Sequence, residues 1–274
     1  MAHLPISMFE TGASSVTASR LDQRFCYCTY VPKGYQRDDT RHYPLAVIVH
    51  GSERSMEGYR NAFAAFAEQH QVVVLCPMFP QNALHQGDLH SYKLLRGHGV
   101  EFDTILLDMV EEVAECYRIN SGRFLLYGFS GGGQFSHRFL YAHPDRLLGV
   151  SIGAPGTVTL IDDAADYWVG TRNFADLFGK PIDISEVRKV PVQMVIGEAD
   201  TWSRWVEIKP TDRTYWMDGA NAAGITRVAR MEALRDNFQA NGIAVDYQIF
   251  PGIAHADETM LATVEQFFAE CLKR

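Results

Sequence analysis

The chain has 274 residues, 47% of them hydrophobic and 21% charged, enough to bury one large core. Its 25 basic and 33 acidic residues give a net charge of −8 with no basic block, which argues against a nucleic-acid or anionic-membrane partner. Five cysteines at scattered spacings read as reduced thiols; the first residues lack a charged start followed by an apolar run, and no stretch is long enough to cross a bilayer. A cytoplasmic location is the default expectation, and homo-oligomerisation is left open.

Arg24 to Val31 alternates and is rich in aromatics, as an antiparallel edge strand is, before Pro32 and Gly34. Leu45 to Val49 is the first fully apolar strand and ends in His50, Gly51 and Ser52. A glycine directly after a central strand lets the backbone approach a ligand and leaves the Ser52 N–H free to donate. Glu57 to His70 carries apolar residues at helical spacing, and Val72 to Cys76 is the next strand. The loop from Met78 to Gly99 holds His85, Asp88, His90 and His98, whose spacings match no zinc pattern, so no metal is expected there. Long loops at strand ends often line sites. Asp103 to Tyr117 then reads as an amphipathic helix.

Phe124 to Tyr127 is an apolar strand that stops at Gly128-Phe129-Ser130-Gly131-Gly132, and a helical pattern follows from Gln134 to His143. A serine at a sharp strand-to-helix turn needs neighbours without a Cβ, here Gly128 and Gly132, and that spacing is a nucleophile elbow. The pentapeptide alone recurs by chance. Its weight comes from the strand before it and the helix after it. Ser130 is therefore the candidate nucleophile, and the backbone N–H groups of Gly131 and Ser52 are the candidate oxyanion donors.

Leu147 to Ile152 is another strand, after which Thr157 to Val190 breaks the alternation with Tyr167, Trp168, Phe174 and Phe178. This cap-like insert, about 157–190, forms either its own small core or a wall of a substrate pocket. Val192 to Ile196 resumes the strands and runs into Gly197-Glu198-Ala199-Asp200. A second aromatic insert, about 201–220, holds Trp202, Trp205, Tyr215 and Trp216, and a helix is expected over Asn221 to Asn241. Trp168 and Trp202 are candidate substrate contacts; Arg54 is a possible partner for an acidic substrate group, but an exposed arginine is the commoner outcome, and it is expected in solvent. Tyr247 to Phe250 is the last strand, followed by a loop carrying His255 and a helix over Asp257 to Lys273. Ser130, Asp200 and His255 thus fall in nucleophile, acid, histidine order, each at a strand end of one alternating sheet. Glu198, Asp257 and Glu258 are rival acids; Asp200 is preferred for its place just past the strand.

The motifs Val49-His50-Gly51-Ser52, Gly128 to Gly132, Gly197 to Asp200 and Gly252 to His255 together resemble the α/β-hydrolase superfamily from about Arg24 to the C-terminus, with esterases and polyester depolymerases as the nearest branch. The resemblance implies a single α/β domain over 1–274, with a mostly parallel eight-stranded sheet, helices on both faces and a small cap after the sixth strand. It also implies a serine hydrolase that cleaves a carboxylic ester of a small molecule through a Ser130, His255 and Asp200 triad, without cofactor. Cleavage of another acyl bond (amide, thioester or carbon–carbon) uses the same triad, and a non-catalytic receptor on the fold is the remaining reading.

Overall fold

A computed structural model describes residues 10–212 and 215–274. Eight strands form one continuous sheet in the spatial order Gly12–Ala13, Cys26–Val31, Val73–Met78, Leu45–Val49, Phe124–Phe129, Leu147–Gly153, Val192–Gly197, Val245–Phe250. A further short strand, Thr17–Ala18, pairs with Cys26–Val31 beside this path. From Val73–Met78 onward all neighbours are parallel, as in the register Val47 to Leu126 and Gly197 to Phe250. Cys26–Val31 runs antiparallel to Val73–Met78, as its alternation predicts. It does not lie at the edge, because Gly12–Ala13 pairs outside it in a segment too short to carry a periodic signal.

The inner strands are apolar along their length because helices cover both faces. Side-chain alternation assigns the faces: Tyr127 packs on Phe63, which also meets Phe268 of the last helix, while Phe124 packs on Phe139 of the helix after the elbow. The final strand, Val245–Phe250, has a neighbour on one side only and alternates between half-buried and exposed residues for most of its length.

Several boundaries differ from the sequence expectation. The helix after the elbow covers Gly131–Ala142, starting directly after Ser130, so three glycines form its first turn despite their low propensity. The expected helix over Glu57 to His70 is two, Met56–Ala62 and Ala64–His70, separated at Phe63. The helix expected from Asn221 is Arg227–Ala240, where the Thr226 hydroxyl accepts from the Ala229 N–H as an N-cap. The last helix starts at Leu261; Asp257 lies in the turn before it. The cap-like insert lies after Leu147–Gly153, the sixth strand of the path in chain order, and contains the short helices Phe174–Phe178 and Ile184–Val187.

Candidate active site

The elbow strand, Phe124–Phe129, lies in the middle of the sheet, and Ser130 follows it with φ 56° and ψ −108°. A non-glycine residue held there costs on the order of 1–3 kcal/mol and persists only where its surroundings over-determine it. They do so here. The Ser130 N–H donates to the Gly153 carbonyl of the next strand at 2.8 Å, and the Ser130 carbonyl accepts from the Gln134 N–H at 3.1 Å. A Cβ on Gly128 would collide with the Gly132 backbone, and one on Gly132 with the Val49 carbonyl, so the close approach of strand and helix requires both glycines.

His255 and Asp200 arrive from neighbouring strand ends. The His255 Nδ1 and the Asp200 Oδ2 are 2.6 Å apart, so the ring donates to the carboxylate and its Nε2 is left as an acceptor. Its ring rests on Phe129 with centroids 4.7 Å apart. Asp200 is 2% exposed, and its other oxygen accepts from the Arg227 Nη1 at 3.2 Å. The rival acids are occupied elsewhere: Glu198 accepts from the Gly252 N–H at 3.1 Å, and Asp257 from the Tyr59 hydroxyl at 2.5 Å. Ser130, His255 and Ser52 line one cavity of about 520 Å³ together with Lys93, Gln134, Arg227, Trp205 and Tyr215.

The turn carrying Ser52 is fixed from below and from the side. His50 is buried; its Nε2 accepts from the Phe79 N–H at 2.9 Å and its Nδ1 donates to the Gly51 carbonyl at 2.7 Å. Burial lowers its pKa to about 3, which keeps the ring neutral and suited to both bonds. Arg54, expected in solvent, is instead half-buried. It donates to the carbonyls of Ser52 at 2.6 Å, Phe79 at 3.0 Å and Leu89 at 2.9 Å, because the long loop folds back over it. A Cβ on Gly131 would stand 3.3 Å from the Ser52 nitrogen, so the two candidate oxyanion amides are adjacent.

The candidate substrate contacts are placed outside the lining of this cavity. Trp168 is buried in a small second core with Ile208, Tyr215 and Ala220, its Nε1 donating to the Tyr215 carbonyl at 3.0 Å. Trp202 is 72% exposed. The aromatic residues that do line the cavity are Trp205 and Tyr215, from the same insert. Lys93 and His90 come from the 78–99 loop, and only that loop's place after a strand end signalled them. The Lys93 Nζ donates to the Ser52 Oγ and to the His90 Nδ1, each at 2.8 Å. His85 and His98 pack on each other, with ring centroids 4.4 Å apart.

No family model matches the chain, and no curated protein matches it. Solved structures do. It is similar to poly(aspartic acid) hydrolase-1 from Sphingomonas sp. KT-1, with TM-score 0.74 and 21% identity over 93% of this chain and 98% of that one. It is also similar to the poly(3-hydroxybutyrate) depolymerase LpqC from Bordetella parapertussis, with TM-score 0.73 and 20% identity over 96% and 94%. A ferulic acid esterase aligns with TM-score 0.64 and 13% identity over 95% and 99%. The chain therefore has the α/β-hydrolase fold that these esterases and depolymerases share.

Proposed function

We propose that this chain is a serine hydrolase of carboxylic esters, with Ser130 as nucleophile, His255 as general base and acid, and Asp200 as the group that orients the imidazole. The observation that carries the reading is the 2.6 Å pairing of His255 with Asp200 at the wall of the cavity that also holds Ser130. A serine hydroxyl is a weak nucleophile at neutral pH, so it needs a base whose free nitrogen faces it. The Asp200 carboxylate selects the tautomer that leaves Nε2 free and stabilises the imidazolium as it forms.

In the first half-reaction the Ser130 Oγ bonds to the carbonyl carbon and its proton passes to His255 Nε2. The tetrahedral oxyanion rests on the N–H groups of Gly131 and Ser52, each contributing about 3 kcal/mol to the transition state. Its collapse breaks the bond to the alkoxy oxygen, which leaves as the alcohol with the proton from His255. Water then adds to the acyl carbon, giving its proton to His255. Breaking the Ser130 ester returns that proton to Oγ and releases the acid. Apart from substrate and water, every step is carried by groups of the chain.

Release of 4-nitrophenol from acyl esters of increasing chain length, wild type against Ser130→Ala, tests the reading. Loss of roughly 10⁶-fold in kcat with the fold intact is expected. Turnover undiminished in the variant would overturn the mechanism, and hydrolysis of amides or thioesters but of no ester would transfer it to another acyl bond.

A further inference from the structure

Lys93 is 3% exposed and forms part of the cavity wall, yet among the described residues no carboxylate lies within ion-pair distance of its ammonium. Its two bonds go to neutral acceptors, the Ser52 hydroxyl and the His90 ring. Beneath it the pattern repeats. Arg138 is fully buried and, among the described residues, donates to the Thr157 and Thr159 hydroxyls and to the carbonyls of Lys93 and Gln134. Arg230, 1% exposed, is held by the carbonyls of Gly156, Ala220 and Gly224 and by the Asn221 amide oxygen. Arg227, on the cavity wall, spends Nη1 on Asp200 and keeps its Nε buried without a partner.

Burying a cation without a counter-charge is costly, and chains that do so either neutralise the group or supply the anion from outside. In a chain of net charge −8, a buried ammonium on the wall of this cavity with no carboxylate beside it among the described residues is not a consequence of composition. The acids nearby do not fill the need. Glu53 and Glu207 are exposed at the rim, Asp212 accepts from the Tyr215 N–H at 2.9 Å, and the Asp88 Oδ1 is occupied by the N–H groups of His90 and Ser91 and by the Ser91 hydroxyl.

We propose that the cavity takes acyl substrates whose acid portion carries a second, ionised carboxylate, and that Lys93 is the counter-ion that receives it. The inference rests on the serine-hydrolase reading and names its substrate class. Position assigns the carboxylate to the acyl side. His255 must face the leaving group in order to protonate it, and we place the acyl portion toward Ser52 and Lys93, which line the same cavity and are joined at 2.8 Å. A Cβ on Gly131 would stand 3.0 Å from the Lys93 Cε, so the ammonium is close enough to the reacting carbonyl to meet a carboxylate a few bonds away. Such a contact, made to a buried ammonium, is stronger than the same pair at the surface.

The test compares 4-nitrophenyl hydrogen adipate with its neutral isostere, 4-nitrophenyl methyl adipate, and the glutarate pair in the same way, subtracting the enzyme-free rate. In wild type at about pH 6 the acid ester is expected to exceed the neutral one by about tenfold or more in kcat/KM, chiefly through KM. The ratio should collapse toward one in Lys93→Met and be largely kept in Lys93→Arg. A wild-type ratio of one or less, or an unchanged ratio in Lys93→Met, would overturn the proposal. Should Lys93→Met fail to fold, inhibition of neutral-ester turnover by free adipate in the wild type decides: competitive inhibition that hexanamide does not reproduce supports the inference, and equal inhibition by both sinks it. Turnover of the neutral ester with no acid preference removes this inference alone. Turnover of neither ester, with no labelling of Ser130 by a fluorophosphonate, removes the hydrolase reading and this inference with it.

Discussion

Asp200 and Lys93 are both almost fully buried charges at the same cavity, and they are treated in opposite ways. Asp200 is compensated twice, by Arg227 on one oxygen and His255 on the other. Lys93 has only neutral acceptors, and burial followed by the nearby guanidinium groups of Arg54, Arg227 and Arg138 lowers it to about 7. Asp103, elsewhere in the fold, shows what a compensated structural charge looks like. It is 0% exposed and binds the Arg96 guanidinium and the His143 Nε2, the latter at 2.8 Å. Burial pushes its carboxyl up, and the bonds from His143 and Arg96 outweigh that and hold it below the usual range. Asp103 thus has a guanidinium beside it within the fold, whereas Lys93 has no carboxylate beside it among the described residues.

The contrast can be broken at each charge. The largest effect is expected at Asp200: Asp200→Asn replaces an acceptor with an amide that favours the wrong imidazole tautomer, and kcat should fall by about 10⁴-fold with KM little changed, as steady-state ester kinetics would report. At Asp103 the cost should appear in stability. Asp103→Asn leaves Arg96 and His143 facing a neutral group, and denaturant unfolding near neutral pH should show a loss of about 3–5 kcal/mol. A folded-state pKa held below the unfolded value contributes stability above the unfolded value and loses it as pH falls through the folded one. The wild type alone should therefore show this Asp103 part of acid destabilisation.

The smallest of the three is expected at Lys93, with the opposite sign. Between about 7 and the ordinary lysine value of 10.5 the unfolded chain binds a proton that the folded chain has released, so wild-type stability rises with pH across that window. Lys93→Met removes the penalty, and urea unfolding should show a gain of about 1–4 kcal/mol below pH 7 that shrinks toward pH 10.5. A loss of stability at all pH values would mean that the ammonium is compensated within the fold after all. The acid-ester preference should decline over the same pH range as Lys93 loses its proton, with His90, at about 4, neutral throughout and Asp88 the acid that favours the charged form.

Most of the sheet, the elbow and the order of Ser130, Asp200 and His255 were legible from the chain alone. Buried parallel strands need continuous apolar runs, a tight strand-to-helix turn needs glycines, and strand ends at one edge collect the residues that follow them. These constraints are local, so they leave a local trace. The choice of Asp200 over Glu198 and Asp257 also began in the sequence, but the partners that occupy the two rivals, Gly252 and Tyr59, are tertiary. The aromatic inserts could not be apportioned by pattern. Trp168 entered a core with Tyr215, forty-seven positions away, and Trp205 rather than Trp202 reached the cavity, because irregular segments are placed by long-range packing that has no periodicity. Lys93 carries no signal of its own in the sequence, and Arg54 is there a possible substrate contact for which exposure is the commoner outcome. Only the folding of the 78–99 loop onto the Ser52 turn decided that both are withdrawn from bulk water and that Lys93 has no carboxylate beside it, since burial and the absence of a counter-charge are properties of a neighbourhood and not of a residue.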